Sequence, residues 1–138
     1  MSVLAFDIAS GGLSAALFNE DLAQLQLNEV SWHIREGADG SAVLDVSHLE
    51  AALTQVLLPF AGNTSIAAIS FSAFMHNCVL FDASRAPITP IFTWMDRRGS
   101  EGIDYIRREF GNDFHARTGC RFHPMFPVFK IAALRAAG

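Results

Sequence analysis

The sequence predicts an α/β chain. Short apolar runs ending at small-residue turns fill its first third, as strands do. Apolar residues at three-to-four spacing then appear before the middle and again near the end, as helices require. Hydrophobic residues make up 51% of the 138 and charged residues 17%, a balance that supports a packed core and excludes disorder for most of the chain. The length suits one domain, which can bury roughly two-thirds of its unfolded surface.

Residues 3–8 form the first apolar run, residues 9–12 a small-residue turn, and residues 13–18 a second run. Two runs joined by a tight Gly-containing turn predict a β-hairpin. Residues 25–34 alternate well enough for a third strand, and residues 36–40 read as a loop. Ser47-His48-Leu49-Glu50 has the form of a capping box, with Ser47 as N-cap and Glu50 at the third helical position. Leu49, Leu53, Val56 and Leu57 follow at helical spacing, and Pro59 stops the helix nearby. Residues 65–72 and 77–81 predict two more strands, the second closed by a turn over residues 82–87. A brief apolar stretch over residues 91–94 runs into Met95-Asp96-Arg97-Arg98. Ser100 is placed as the cap of a helix carrying Ile103, Ile106 and Phe110, with a shorter helix over residues 112–118. Pro124 and Pro127 bracket a loop before a last helix opening near Val128. The leading antiparallel meander separates this order from the all-parallel dinucleotide-binding folds.

Net charge is −4, which gives no electrostatic basis for sequence-independent nucleic-acid binding. Cys78 and Cys120 are too few for a disulfide framework, and no CxxC pair suggests structural zinc. The N-terminus lacks a basic region, and no apolar run reaches the roughly 18–20 residues of a membrane helix. The expectation is a cytoplasmic protein with reduced thiols and no membrane partner.

Asp7 ends the first strand beside Ser10, Gly11 and Gly12. A carboxylate next to such a turn can face a metal while backbone N–H groups meet a phosphate. An Asp that caps its own hairpin accounts for the same residues. Met75-His76 lies between two strands, where the imidazole could hydrogen-bond a substrate hydroxyl or simply pack. Trp94 with Asp96 and Arg97 could offer a sugar an aromatic face, a carboxylate and a guanidinium; a solvated loop with a self-paired Asp and Arg fits equally. His33, His48, His115 and His123 show no metal-ligand spacing, and Cys78 sits in an apolar run that argues for burial.

Taken in order, these motifs resemble the N-terminal domain of the FGGY family of carbohydrate kinases. Residues 4–18, around Asp7-Ile8-Ala9-Ser10-Gly11-Gly12, are similar to its first phosphate loop. Ile69-Ser70-Phe71-Ser72-Ala73-Phe74-Met75-His76 is similar to its substrate loop, and Trp94-Met95-Asp96-Arg97-Arg98 to its Trp-x-Asp-x-Arg element. Thr118-Gly119-Cys120 through Pro127-Val128-Phe129-Lys130-Ile131 resembles the segment leading into its first signature. The wording Arg117-Thr118-Gly119-Cys120 with His123 sits nearest the gluconate and xylulose branches.

The resemblance implies a ribonuclease-H-like (actin-like ATPase) fold, with a mixed sheet and flanking helices. It implies ATP and Mg²⁺ as cofactors and a small sugar or sugar acid as substrate. Asp7 would organise metal and phosphate, with Ser10, Gly11 and Gly12 at the phosphoryl groups. Met75, His76, Trp94, Asp96, Arg97, Met125 and Phe126 would line the sugar pocket. The family usually has Gly at Ala9, Lys or Arg at Ser14, and Trp at Ala133; these departures bear on catalytic strength and leave the fold untouched. Its members are several times longer, with the catalytic base and the adenine site in a C-terminal portion that this chain does not include. The chain is therefore expected to be a truncated sugar-binding half with no catalytic residue of its own and no kinase activity alone. A non-catalytic sugar-binding or dimerising module on the same fold is the alternative, with a homodimer formed through the exposed apolar face. Another actin-like ATPase would leave Met75-His76 and the Trp94 element without a purpose.

Overall fold

A computed structural model describes residues 1–111 and 113–137. They form two compact units, the first from Met1–Ile34 and Asp45–Phe74, the second from Arg35–Leu44 and the chain from Met75 onward.

The first unit is a four-stranded mixed sheet with one helix, its strands in the order Gln24–Ser31 (β3), Gly12–Phe18 (β2), Ser2–Ala9 (β1) and Ile66–Ala73 (β6). β1 (Ser2–Ala9), β2 (Gly12–Phe18) and β3 (Gln24–Ser31) are the antiparallel meander that the alternation predicts. Leu4, Phe6, Leu13, Ala15 and Leu17 face one side of it and are buried. Helix α1 (Val46–Leu57) lays Ala52 and Val56 on that side, and Phe60 closes the cluster from a 3₁₀ turn over Leu58–Phe60 that Pro59 opens. β6 (Ile66–Ala73) returns parallel to β1, and Phe71 stacks on Phe6 at 5.1 Å between ring centroids. β6 is an edge strand, and Ile69 and Phe71 are 55% and 68% exposed.

The capping box is not formed. Asp45 takes the N-cap position with extended backbone (ψ 136°), and Ser47 lies inside the helix. Asp ranks with Ser as an N-cap. The extended segment Ala42–Leu44 (β5) runs directly into Asp45, and the helix starts there.

The second unit holds a small sheet of order β4-β5-β7, made of Arg35–Glu36, Ala42–Leu44 and Ile91–Phe92. The predicted loop over residues 36–40 is thus the turn of a β4–β5 hairpin, with the Gly37 N–H donating to the Ser41 carbonyl at 2.9 Å. The strand expected over residues 77–81 is only a pair of bridges, Cys78 with Phe92 and Phe81 with Pro87. Its ladder is interrupted because the Leu80 N–H goes to the Thr89 hydroxyl. The turn that follows is formed: Asp82 Oδ1 accepts from the N–H groups of Ser84 and Ala86.

α2 (Ser100–Phe110) and α4 (Pro127–Ala137) pack together, with Ile106, Phe129 and Ala132 buried between them. Gly99, not Ser100, is the N-cap of α2, and the Ser100 hydroxyl donates back to the Arg97 carbonyl. A Cβ at residue 99 would stand 2.8 Å from the Pro124 carbonyl oxygen, which explains the glycine. The short helix α3 covers Phe114–Thr118; Asn112, where the sequence starts it, lies outside the described residues.

Among the described residues no helix is long and apolar enough to cross a membrane.

Candidate functional site

In the first unit the hairpin brings Asp7, Ser10, Gly11 and Gly12 to one sheet end. Asp7 is exposed on the face away from the α1 core, and register sets Ser14 and Ser72 on either side of it. The turn is clamped by a residue that sequence reasoning missed. The Trp32 backbone N–H donates to the Gly11 carbonyl at 3.1 Å, and its indole Nε1–H to the Ser10 carbonyl at 2.9 Å. The sequence places Trp32 inside the third strand, whereas that strand ends at Ser31 and frees Trp32 for the turn. Gly12 is required by close approach: a Cβ there would lie 2.5 Å from the Val30 carbonyl oxygen. A Gly12→Ala variant is expected to lose about 1–3 kcal/mol, read as a Tm lower by several degrees, because β3 must shift away.

Among the described residues no cluster of three or more His, Cys, Asp or Glu side chains could hold a metal. A single exposed carboxylate between two serines instead suits Mg²⁺, which keeps its waters and is held by one or two carboxylates plus phosphate.

In the second unit the Thr93–Arg97 loop is tied to the β4–β5 hairpin. The Thr93 N–H and hydroxyl both donate to the Ala42 carbonyl, at 3.0 and 2.8 Å, and the Arg97 N–H donates to the Gly40 carbonyl at 2.9 Å. Asp96 is buried, and its carboxylate accepts from the Ala42 N–H at 3.1 Å, the Arg98 N–H at 3.1 Å and Arg98 Nη2 at 2.6 Å. Burial alone would push this carboxyl up; the hydrogen bonds from Arg98 and Ala42 outweigh it and hold the group below the usual carboxylate range. The Asp–Arg pair of this loop is therefore Asp96 with Arg98, not Arg97. Spacing misled here because Arg98 reaches back to a buried group while Arg97 points out.

This anchoring leaves Trp94 44% exposed and Arg97 exposed beside a cavity of about 710 Å³. Glu36, Trp94, Asp96, Arg97, His123 and Met125 line it. Four of the predicted sugar residues thus converge, while Glu36 and His123 were not anticipated. His123 Nδ1 accepts from the Met125 N–H at 3.2 Å and so shapes that loop. The two other half-buried predicted residues meet edge to face, the His76 and Phe126 rings standing 4.9 Å apart at 83°. Neither of these two lines the cavity, and nor does Met75, which is exposed.

His76 has φ +67°, a left-handed backbone that a non-glycine residue rarely adopts. Its carbonyl accepts from Lys130 Nζ at 3.0 Å, and so does the Thr93 carbonyl. Lys130 is buried on α4, and burial pushes its ammonium below the ordinary value against the opposing influence of Cys78 and Asp96. Burial likewise pushes the thiol of half-buried Cys78 up.

A gluconokinase of Bacillus subtilis (strain 168) is 29% identical over 134 residues, covering 94% of this chain and 26% of that protein. A xylulose kinase of Staphylococcus xylosus is 27% identical over 112 residues, covering 79% and 23%. The crystal structure of a xylulose kinase from Lactobacillus acidophilus superposes with a TM-score of 0.85 at 19% identity, over 97% of this chain and 28% of that one. The chain spans about a quarter of the length of the relatives it matches. The profile of the FGGY family of carbohydrate kinases, N-terminal domain, matches residues 2–136, and the chain belongs to that family.

Proposed function

We propose that this chain is the sugar-binding, N-terminal part of an ATP-dependent carbohydrate kinase of the gluconate or xylulose class. The observation that carries the reading is the convergence of Trp94, Arg97 and Met125 on one cavity, in a chain whose residues 2–136 match the family model. Trp94 offers an apolar face to a sugar ring, and Arg97 a charged donor to its hydroxyls or carboxylate. His76, held edge to face by Phe126, offers a further hydrogen bond. In the first unit Asp7 would hold Mg²⁺ through its waters, with the Ser10–Gly12 turn at the phosphoryl groups. ATP and Mg²⁺, when bound, supply the phosphoryl group and neutralise its charge. The base that takes the substrate hydroxyl proton belongs to the rest of the kinase, because phosphoryl transfer needs groups on both sides of the transferred phosphate.

The test is His76→Ala in the full-length kinase that contains this domain. The sugar KM is expected to rise on the order of tenfold, about 1.4 kcal/mol, with the ATP KM unchanged. An unchanged sugar KM removes His76 from the site. Purified alone, the 138-residue chain should release no sugar-dependent ADP; release would show that the chemistry resides here.

A further inference from the structure

The substrate reading leaves unused one group that the fold has gone to some length to bury. Lys130 is 3% exposed, and its ammonium is directed at two backbone carbonyls, those of His76 and Thr93. A buried ammonium is costly unless its donors are taken, and a carbonyl that already serves a strand or helix would not need one. Neither carbonyl is an ordinary ladder group. The His76 carbonyl leaves a residue in the left-handed region, at φ +67°. The Thr93 carbonyl also accepts the Asp96 N–H at 3.1 Å, closing the turn that presents Trp94. These loops are separated by sixteen residues and meet at one side chain.

We infer that Lys130 is the positioning residue of the sugar site, tying the His76 loop to the Trp94 turn so that both side chains are presented together. The inference rests on the reading of His76 and Trp94 as substrate residues. Lys130 touches no substrate itself. A left-handed backbone is uncommon for a histidine, and the hydrogen bond to its carbonyl is a constraint that favours it. Gly99 and Gly102 on α2 leave room for the α4 backbone that carries Lys130: a Cβ at residue 99 would lie 3.2 Å from the Lys130 nitrogen. Two of its three donors are thereby committed to these carbonyls.

The test uses the full-length kinase with Lys130→Met, which keeps the stem and deletes the donors, and Lys130→Gln, which keeps a donor. Sugar and ATP KM are measured for each, for His76→Ala, and for the double variant, and a crystal structure of Lys130→Met is solved. Lys130→Met is expected to raise the sugar KM tenfold or more with the ATP KM within twofold. Lys130→Gln should recover part of that loss, His76→Ala should add less than twofold on top of Lys130→Met, and residue 76 should leave the left-handed region. A sugar KM within twofold of the parent overturns the inference, as do KM values that rise together, full additivity, or both Lys130 variants failing to fold. If His76→Ala proves silent while residue 76 still moves in Lys130→Met, the sugar reading falls and the positioning role stands. If His76→Ala acts but residue 76 stays in place, the reverse holds.

Discussion

Asp96→Ala is expected to lower stability by roughly 3 kcal/mol, at the lower end of what breaking a buried ion pair costs. The lower end applies because Arg98, 39% exposed, can swing into water when its partner goes. What remains is the N–H of Ala42, which loses its acceptor inside the fold, and the backbone N–H of Arg98. Against a total of about 5–15 kcal/mol for an ordinary domain, that is a large share. Because the folded carboxyl is held below its unfolded value, the stability it contributes is present above the usual carboxylate range and is lost as pH falls through the lowered folded value. Urea melts from pH 7 down to pH 3 check both points: the parent should weaken at the acid end, and Asp96→Asn should start weaker and change less. An Asp96→Ala melt matching the parent would mean that the carboxylate is dispensable to the loop.

Gly102→Ala should cost more than 3 kcal/mol, beyond the common range for overpacking, and leave little folded protein. Helix propensity alone points the other way, since Ala in a helix interior is favoured over Gly by about 1 kcal/mol. The packing decides the sign. A Cβ at residue 102 would collide with the Phe129 carbonyl oxygen, with the Phe129 carbonyl carbon at 2.8 Å and the Ala133 nitrogen at 2.9 Å. All three atoms are α4 backbone, so no rotamer change relieves the contact. Gly11→Ala is the control, because nothing lies within 4 Å of its Cβ. Thermal melts of the two should differ sharply; a Gly102→Ala melt equal to that of Gly11→Ala would show that α2 and α4 can part at little cost.

The sequence made the local structure legible wherever one residue type leaves the chain few choices. The Gly-containing turn between β1 and β2, the helix stop at Pro59 and the Asp82 turn are of that kind. Ser47 misled because the extended chain leaving β5 reaches Asp45 first, and Ser100 because the close approach of Pro124 selects a glycine at residue 99, where the helix starts. β5 itself is three buried residues, too short for any period to show. Around the cavity, three of the residues that the sequence singled out, Trp94, Arg97 and Met125, come together. The supporting residues were not legible. Trp32, Arg98 and Lys130 act on groups 22, 2 and 54 residues away, through contacts that only the folded chain creates.

The edge strand β6 has a bearing on how this polypeptide behaves in a test tube. Ile66-Ala67-Ala68-Ile69-Ser70-Phe71-Ser72-Ala73 contains no charge and no proline, and its outer rim offers a row of amides and carbonyls to any passing strand. Segments of this composition are the ones that stack into cross-β fibrils once concentrated. Handling the isolated chain is therefore a colloidal problem before it is an enzymological one. Low concentration, or a lysine placed at Ser70 as a gatekeeper, addresses the strand that the sheet leaves at its margin.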